Sequence, residues 1–89
     1  MSYTKQISFR NYQIEFEYDY LSYPECLVLK SWTAYIGPNE IEIPCRVESD
    51  FIESNLINWI DNEWAMNGSN YIKDYVDSLS EKRYAILNE

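Results

Sequence analysis

Residues 12–20 read Tyr-Gln-Ile-Glu-Phe-Glu-Tyr-Asp-Tyr, a strict alternation of apolar and polar side chains. Successive side chains of a β-strand point to opposite faces of a sheet, so this stretch predicts a strand with one apolar and one acidic face. The apolar face comprises Tyr12, Ile14, Phe16, Tyr18 and Tyr20, and the acidic face carries Glu15, Glu17 and Asp19. The strand therefore predicts on which side of the sheet the core lies.

The preceding residues 3–9 alternate in the same way and predict a partner strand. A two-residue turn at Arg10 and Asn11 places Phe9 opposite Tyr12. The same register pairs Ile7 with Ile14, Tyr3 with Tyr18, Gln6 with Glu15 and Thr4 with Glu17. A slip of one residue would bring apolar side chains to the polar face, so the pattern specifies the register.

A second hairpin is expected beyond residues 21–25, a predicted loop because proline is excluded from central strands. Strands are predicted at about 26–36 and 40–47, joined by a turn at Pro38 and Asn39. That turn pairs Ile36 with Ile41, Ala34 with Ile43 and Trp32 with Cys45. Because Cys45 then faces Trp32 rather than Cys26, we expect no intrachain disulfide, and both cysteines to be reduced, half-buried strand residues.

Two helices are predicted after the strands. Asp50 and Glu53 form an acidic capping box at the start of a helix over about 50–66. Its apolar repeat is Ile52, Leu56, Ile60 and Trp64. Gly68 is a plausible helix stop, and a second helix follows over about 70–82. Residues 83–88 are compatible with either a last strand or a continued helix.

The predicted fold class is therefore α+β, with the element order ββββαα in a single domain over residues 1–89. Both helices pack on one face of the four-stranded antiparallel sheet. The other face is open to solvent and carries the strand acids. Leu27, Leu29 and Tyr35 are predicted to share this open face, where either the C-terminal tail covers the leucines or they form part of an apolar contact patch.

The composition excludes several classes of function. The chain has 89 residues, a formal net charge of −8, no histidine and only two glycines. Such an acidic protein repels the phosphates of nucleic acid, so direct nucleic-acid binding is not expected. No imidazole is present to act as a base or a metal ligand, and no Gly-rich phosphate loop can form. No membrane-spanning segment or signal peptide is evident, and a cytoplasmic location is expected.

Catalysis is not expected either. The pairs Glu15–Glu17 and Glu40–Glu42 have i, i+2 spacing, but a solvated sheet face would not raise the pKa of one member as acid–base catalysis requires. A serine or cysteine nucleophile would lack an activating histidine. We therefore predict a protein that is not an enzyme and needs no metal or cofactor.

The acidic residues are concentrated in the second half of the chain. Residues 47–81 contain eight acidic residues and one basic residue. Carboxylates on strands and helices repeat at distances on the order of phosphate spacing in nucleic acid. The candidate partner-binding residues are Glu15, Glu17, Asp19, Tyr35, Glu42, Asp61, Glu63, Asp74, Asp77 and Glu81.

Three functional hypotheses follow from this pattern. The first is a non-catalytic inhibitor that binds a basic host or toxin protein handling nucleic acid, as phage-encoded anti-restriction and anti-CRISPR proteins or nuclease-toxin immunity proteins do. The second is an assembly module that homodimerises through Leu27, Leu29 and Tyr35. The third is a small enzyme or ligand-binding domain with a pocket beneath its tryptophans, Trp32, Trp59 and Trp64. Acidic side chains that simply face solvent are the alternative to all three.

Overall fold

The computed structural model describes the backbone of residues 2–87 and the side chains of residues 2–80. Four strands form one antiparallel sheet in chain order, followed by one helix that packs across a single face of the sheet. The elements are β1 (Ser2–Phe9), β2 (Tyr12–Ser22), β3 (Glu25–Ile36), β4 (Asn39–Ile41) and α1 (Arg46–Leu87). The predicted α+β class and four-stranded antiparallel sheet are confirmed.

The first hairpin has the predicted register. Phe9 lies opposite Tyr12, and every other predicted pair of β1 and β2 is formed. Arg10 adopts a φ of 55°, the left-handed conformation that two-residue hairpin turns require. The apolar and polar side chains of β2 alternate between buried and less buried positions as the sequence predicts. Ile14 and Phe16 are fully buried, whereas Glu15 between them is not. The strict period of two was therefore a sufficient signal for this hairpin.

A β-bulge interrupts the pairing of β2 with β3. Glu17 lies opposite Ser31, but the next residue, Tyr18, lies opposite Leu29. Lys30 is therefore an extra residue in β3, and the alternation of β3 reverses on passing it. The reversal allows side chains of both halves of β3 to reach the same core.

The bulge corrects the prediction for the open sheet face. Leu27 is buried, and Leu29 is partly buried against the core, so the prediction that these two side chains lie beside the strand acids is wrong. Simple alternation fails here because it cannot be carried across the extra residue at Lys30. Tyr35, on the other side of the bulge, lies opposite Gln13 and so keeps its predicted place on the open face.

The strand β4 is much shorter than predicted. It ends at Ile41, which pairs with Ala34, and the hairpin turns at Gly37 and Pro38, where Gly37 has a φ of 58°. The predicted turn at Pro38 and Asn39 is therefore wrong, and so are the predicted pairs of β3 with residues 41, 43 and 45. The turn begins one residue earlier because glycine adopts positive φ without steric cost, and β4 ends early because Pro44 lacks a backbone N–H and cannot continue a paired strand.

The helix begins four residues before the predicted capping box. Cys45 is exposed, and its carbonyl oxygen accepts the first helical hydrogen bond from the Ser49 N–H at 3.0 Å. Asp50 therefore lies inside α1, and its predicted role as N-cap is wrong. The acid in the first turn is Glu48, where it faces the positive end of the helix dipole. Cys26 is half-buried in β3 as predicted, but the prediction that Cys45 is a half-buried strand residue is wrong, because Cys45 is exposed and lies between β4 and α1. Both thiols are free.

The two predicted helices are one helical element with a kink. Asn67 has non-helical dihedral angles (φ −128°, ψ 15°), and the helix continues on both sides of it. Gly68 does not stop the helix, because a glycine terminates helices by adopting positive φ and this one does not. Residues 83–87 have helical backbone, and residue 88 lies outside the described part of the chain.

The core lies between α1 and the inner face of the sheet. Ile52, Leu56 and Ile60 are almost completely buried, which confirms the predicted four-residue repeat. The Trp59 ring packs edge-on against Phe16 and Tyr18, with ring centroids 5.3 and 5.6 Å away. Further along, Tyr20 contacts both Trp64 and Tyr75. These contacts show that α1, up to its kink at Asn67, runs in the direction of β2, and hence opposite to β3.

Candidate partner-binding site

The predicted acids of the open sheet face have partners within the chain. Lys30, the bulge residue, forms ion pairs with Glu17 at 3.4 Å and with Asp19 at 3.9 Å. Asp19 also accepts a hydrogen bond from the Ser2 hydroxyl, and Glu15 accepts one from the Gln6 amide at 3.3 Å. The bulge therefore places a cation among the acids of β2 and lowers the negative charge of this face.

The remaining open-face candidates lie apart from those acids. Tyr35 is half-buried and pairs across the sheet with Glu40, whereas Glu42 is exposed just beyond the end of β4. The homodimer surface predicted from Leu27, Leu29 and Tyr35 is not formed, because only the tyrosine remains on this face.

Glu63 takes part in a network of hydrogen bonds between helix and sheet. Its carboxylate accepts a hydrogen bond from the Tyr71 hydroxyl at 2.9 Å and another from the Asn67 amide at 3.2 Å. The hydroxyls of Tyr18 and Tyr71 lie 2.8 Å apart. Because Tyr71 gives its only hydroxyl hydrogen to Glu63, Tyr18 is the donor to Tyr71. Glu63 is thus engaged in holding the kinked helix on the sheet.

The same network perturbs the ionisation of Tyr71. Burial, together with the hydrogen bonds to Tyr18 and Glu63, raises the pKa of Tyr71 far above its usual value. The hydroxyl therefore stays protonated and continues to donate at any pH near neutrality. This behaviour fits a structural link better than an acid or base that exchanges protons.

The other helix candidates lie on two flanks of α1. Asp61 is exposed and borders a groove between β3 and α1. Asp74 is exposed and lies near Tyr3 of β1. Burial of Tyr3 raises its pKa, and the negative charge of Asp74 raises it further. Asp77 is also exposed. Glu81 lies in the helix, but its side chain is outside the described residues.

A groove runs between the β3 edge and the helix. It has a volume of about 600 Å³ and is bordered on the strand side by residues 27–32. The helix side presents Glu53, Ile57, Ile60 and Asp61. Because β4 pairs only with the last three residues of β3, this part of the β3 edge has no partner strand among the described residues.

Sequence reasoning missed Glu53 and Ile57 as members of a site. The sequence pattern predicts a capping role for Glu53, and Ile57 lies outside the apolar repeat that predicts the buried helix face. Two signals in the sequence point to the groove. Pro44 predicts an early end of β4, and the apolar positions of β3 change from odd (Leu27) to even (Trp32) numbers, which predicts a bulge.

Neither a metal centre nor a membrane span is found in the described part of the chain. No group of three or more Cys, Asp or Glu side chains converges there to hold a metal ion. No helix among these residues is both long and apolar enough to cross a membrane. Trp59 and Trp64 pack in the aromatic core, whereas Trp32 borders the groove.

Comparisons with protein-family models, curated proteins and solved structures find no match to this chain.

Proposed function

We propose that this protein is a non-catalytic inhibitor that binds a basic, nucleic-acid-handling protein through the acidic residues of α1. The observation that carries the proposal is a set of exposed acids that form no ion pair with any described side chain. These acids are Asp50, Glu53, Asp61, Asp74 and Asp77. Their negative charge is therefore available to a basic partner.

The spacing of these carboxylates supports nucleic-acid mimicry. Asp50 and Glu53 are three residues apart, as are Asp74 and Asp77, which corresponds to about 4.5 Å along the helix axis. Carboxylates on such a surface recur at distances on the order of those between phosphates, so they fit a basic groove that binds nucleic acid. A partner of this kind would be a restriction or CRISPR component for a phage-type inhibitor, or a nuclease toxin for an immunity protein.

The helix is a better candidate for this surface than the open sheet face. On the sheet, Lys30 neutralises part of the charge of Glu17 and Asp19. A basic partner would have to compete with this lysine there, whereas the exposed acids of α1 form no ion pair with a described cation. The proposal therefore assigns the main electrostatic attraction to the helix.

Capture followed by competition tests the proposal. Immobilised protein is exposed to a lysate of the source cell at about 50 mM salt, and bound proteins are eluted with a salt gradient and purified. We expect a nucleic-acid-binding protein whose DNA or RNA is displaced by this chain. Reversing two helix charges, as in Asp74→Lys with Asp77→Lys, should weaken the displacement at unchanged circular dichroism.

Two results would contradict the proposal. One is a specific partner with no affinity for nucleic acid. The other is a partner whose binding is unchanged both by salt up to about 300 mM and by charge reversal on either flank of α1, since screening should weaken an electrostatic complex.

A further inference from the structure

The groove between β3 and α1 combines three features that suit one kind of ligand. Its floor is a strand edge that has no partner strand among the described residues, one wall is a helix with an exposed isoleucine, and acids lie on both sides of that isoleucine. We infer that it binds an extended peptide segment of the partner by strand addition to β3. The segment has the pattern basic–x–apolar–x–basic. This inference rests on the proposed function and locates where the partner is held.

The strand edge supplies the main-chain half of this recognition. An added strand forms N–H···O=C bonds with an exposed sheet edge, and its alternate side chains provide specificity. The free stretch at residues 27–32 is about 17–20 Å long, enough for five or six residues of an extended peptide. The bulge at Lys30 limits regular pairing to short segments, which favours a short peptide over a long strand.

The helix wall supplies the side-chain half. Glu53, Ile57 and Asp61 follow one another at i, i+4 spacing, so they are about 6 Å apart along the helix axis. Alternate side chains on one face of a strand are about 6.8 Å apart, and α1 runs antiparallel to β3. A basic side chain can therefore reach Glu53 while the next side chain on the same face packs on Ile57 and the following one reaches Asp61.

The charges around the groove favour a basic segment. Glu53 and Asp61 form no ion pair with a described side chain. Lys30 also borders the groove, but its amine is already shared between Glu17 and Asp19 on the open face. Long basic side chains would lay their aliphatic stems along Ile57, which is 43% exposed, and place their charges at the acids.

The other open edge of the sheet is less suited to strand addition. β1 carries Lys5 on its inner face, opposite Phe16, with its ammonium 6.0 Å from the Trp59 ring centroid. An inward-pointing charge on an edge strand opposes the docking of a further strand. The β1 edge therefore serves as an internal control.

An NMR titration with synthetic peptides tests the inference. The probe is a capped peptide of about nine residues with lysine at its third and seventh positions, isoleucine at its fifth and threonine elsewhere. Two control peptides replace the lysines with glutamate, or the threonines beside the isoleucine with proline, which removes backbone donors. We expect the amide signals of residues 27–33 and of Ile57 to shift with the probe, and at least tenfold weaker binding of both controls.

A pair of charge-matched variants separates the groove from general electrostatics. Glu53→Lys with Asp61→Lys changes the groove, and Asp74→Lys with Asp77→Lys makes the same change of net charge elsewhere on the helix. The groove variant should lose at least tenfold in peptide affinity. The other should lose no more than about threefold at 0.15 M salt, where charges beyond about 8 Å are screened.

Several outcomes would overturn the inference. These are equal binding of the proline peptide, equal losses in both variants, shifts confined to β1, or no binding at all. If the signals of the β3 edge shift with protein concentration in the absence of peptide, a second copy of this chain occupies the edge instead.

The same variants distinguish failure of this inference from failure of the proposed function. A purified partner that tolerates the groove variant but not the variant at Asp74 and Asp77 would leave the function standing and refute the groove. Peptide binding in the groove without any nucleic-acid-handling partner would support the groove as a peptide site and refute the proposed function.

Discussion

Replacing Tyr71 with phenylalanine should destabilise the protein by at least about 2.5 kcal/mol. The substitution removes the hydrogen bond to the Glu63 carboxylate at 2.9 Å, a charge-assisted bond of about 1.5–3 kcal/mol. It also removes the acceptor for Tyr18, a bond of about 1 kcal/mol. Tyr18 is only 5% exposed, so its hydroxyl would be left buried without a partner, which adds to the cost.

The double-mutant cycle with Tyr18→Phe makes this prediction specific. Tyr18→Phe alone should cost only about 1 kcal/mol, because Tyr71 keeps its bond to Glu63. In the double variant the stranded Tyr18 hydroxyl no longer exists. We therefore expect the double variant to be no less stable than Tyr71→Phe alone, which corresponds to a coupling of about 1–2 kcal/mol.

Urea unfolding followed by circular dichroism measures all four proteins of the cycle. The three free-energy differences should be taken at constant m-value, so that they report stability rather than a changed unfolded state. Additive effects within about 0.5 kcal/mol would refute the network, since independent side chains add and coupled ones do not. A loss below about 0.5 kcal/mol for Tyr71→Phe would refute the buried hydrogen bonds themselves.

Three further predictions concern the pH dependence, the kink and the bulge. Burial and hydrogen bonding raise the pKa of Tyr71 in the folded protein, so above about pH 10 the unfolded chain releases a proton that the folded chain keeps. The unfolding free energy of the wild type should therefore fall with pH more steeply than that of Tyr71→Phe, by about 1.4 kcal/mol per pH unit. Urea titrations at several pH values measure this difference. Gly68→Ala should fail to give the ~1 kcal/mol gain of helix propensity, because the new Cβ would lie 3.1 Å from Cε3 of Trp64; a measured gain of that size would contradict the close approach. Deleting Lys30 should lower the unfolding free energy by about 2–5 kcal/mol, because it would turn Leu27 out of the core. Lys30→Ser keeps the bulge and should lower it by less than about 1 kcal/mol. Equal thermal stabilities of the two variants would refute the bulge.

The first hairpin could be predicted from sequence because its information is local and redundant. Each pair, such as Phe9 with Tyr12, follows once the turn at Arg10 and Asn11 is placed, and both faces of the hairpin support the same register. The four-residue repeat that includes Ile52 and Leu56 likewise predicts the buried face of the helix correctly, even though the predicted first residue of the helix is wrong.

The second half of the sheet could not be predicted by extending the same period. Its apolar residues occupy both parities, as Leu27 and Trp32 illustrate, so the pattern is consistent only if an extra residue intervenes. Residues 40–47 alternate as cleanly as β2, but Pro44 lies within them. Because proline has no N–H to donate to a neighbouring strand, it ends the pairing even where the hydrophobic pattern favours a strand.

The candidate acids show a similar division. Exposure of Asp61, Asp74 and Asp77 follows from helical periodicity and agrees with the sequence. The engagement of Glu63 by Tyr71 could not be read from spacing, because the hydrogen bond spans eight residues across a kink. The partners of Glu17 depend on where the bulge places Lys30, and so on the tertiary pairing of β2 with β3.

The groove exists because the chain departs from its own patterns at two positions. A strand that continued from Ile41 through Pro44 would cover the β3 edge. If the helix began at Asp50, the residues that now form the first turn of α1 would belong to that strand. The early end of β4 instead leaves this edge without a partner strand among the described residues, and the bulge at Lys30 turns Leu27 and Leu29 toward the helix. Natural proteins that break local rules tend to do so at functional sites. Substitutions at these two breaks should therefore affect partner binding more than substitutions of equal stability cost in the regular β1–β2 hairpin, which builds the core but does not border the groove.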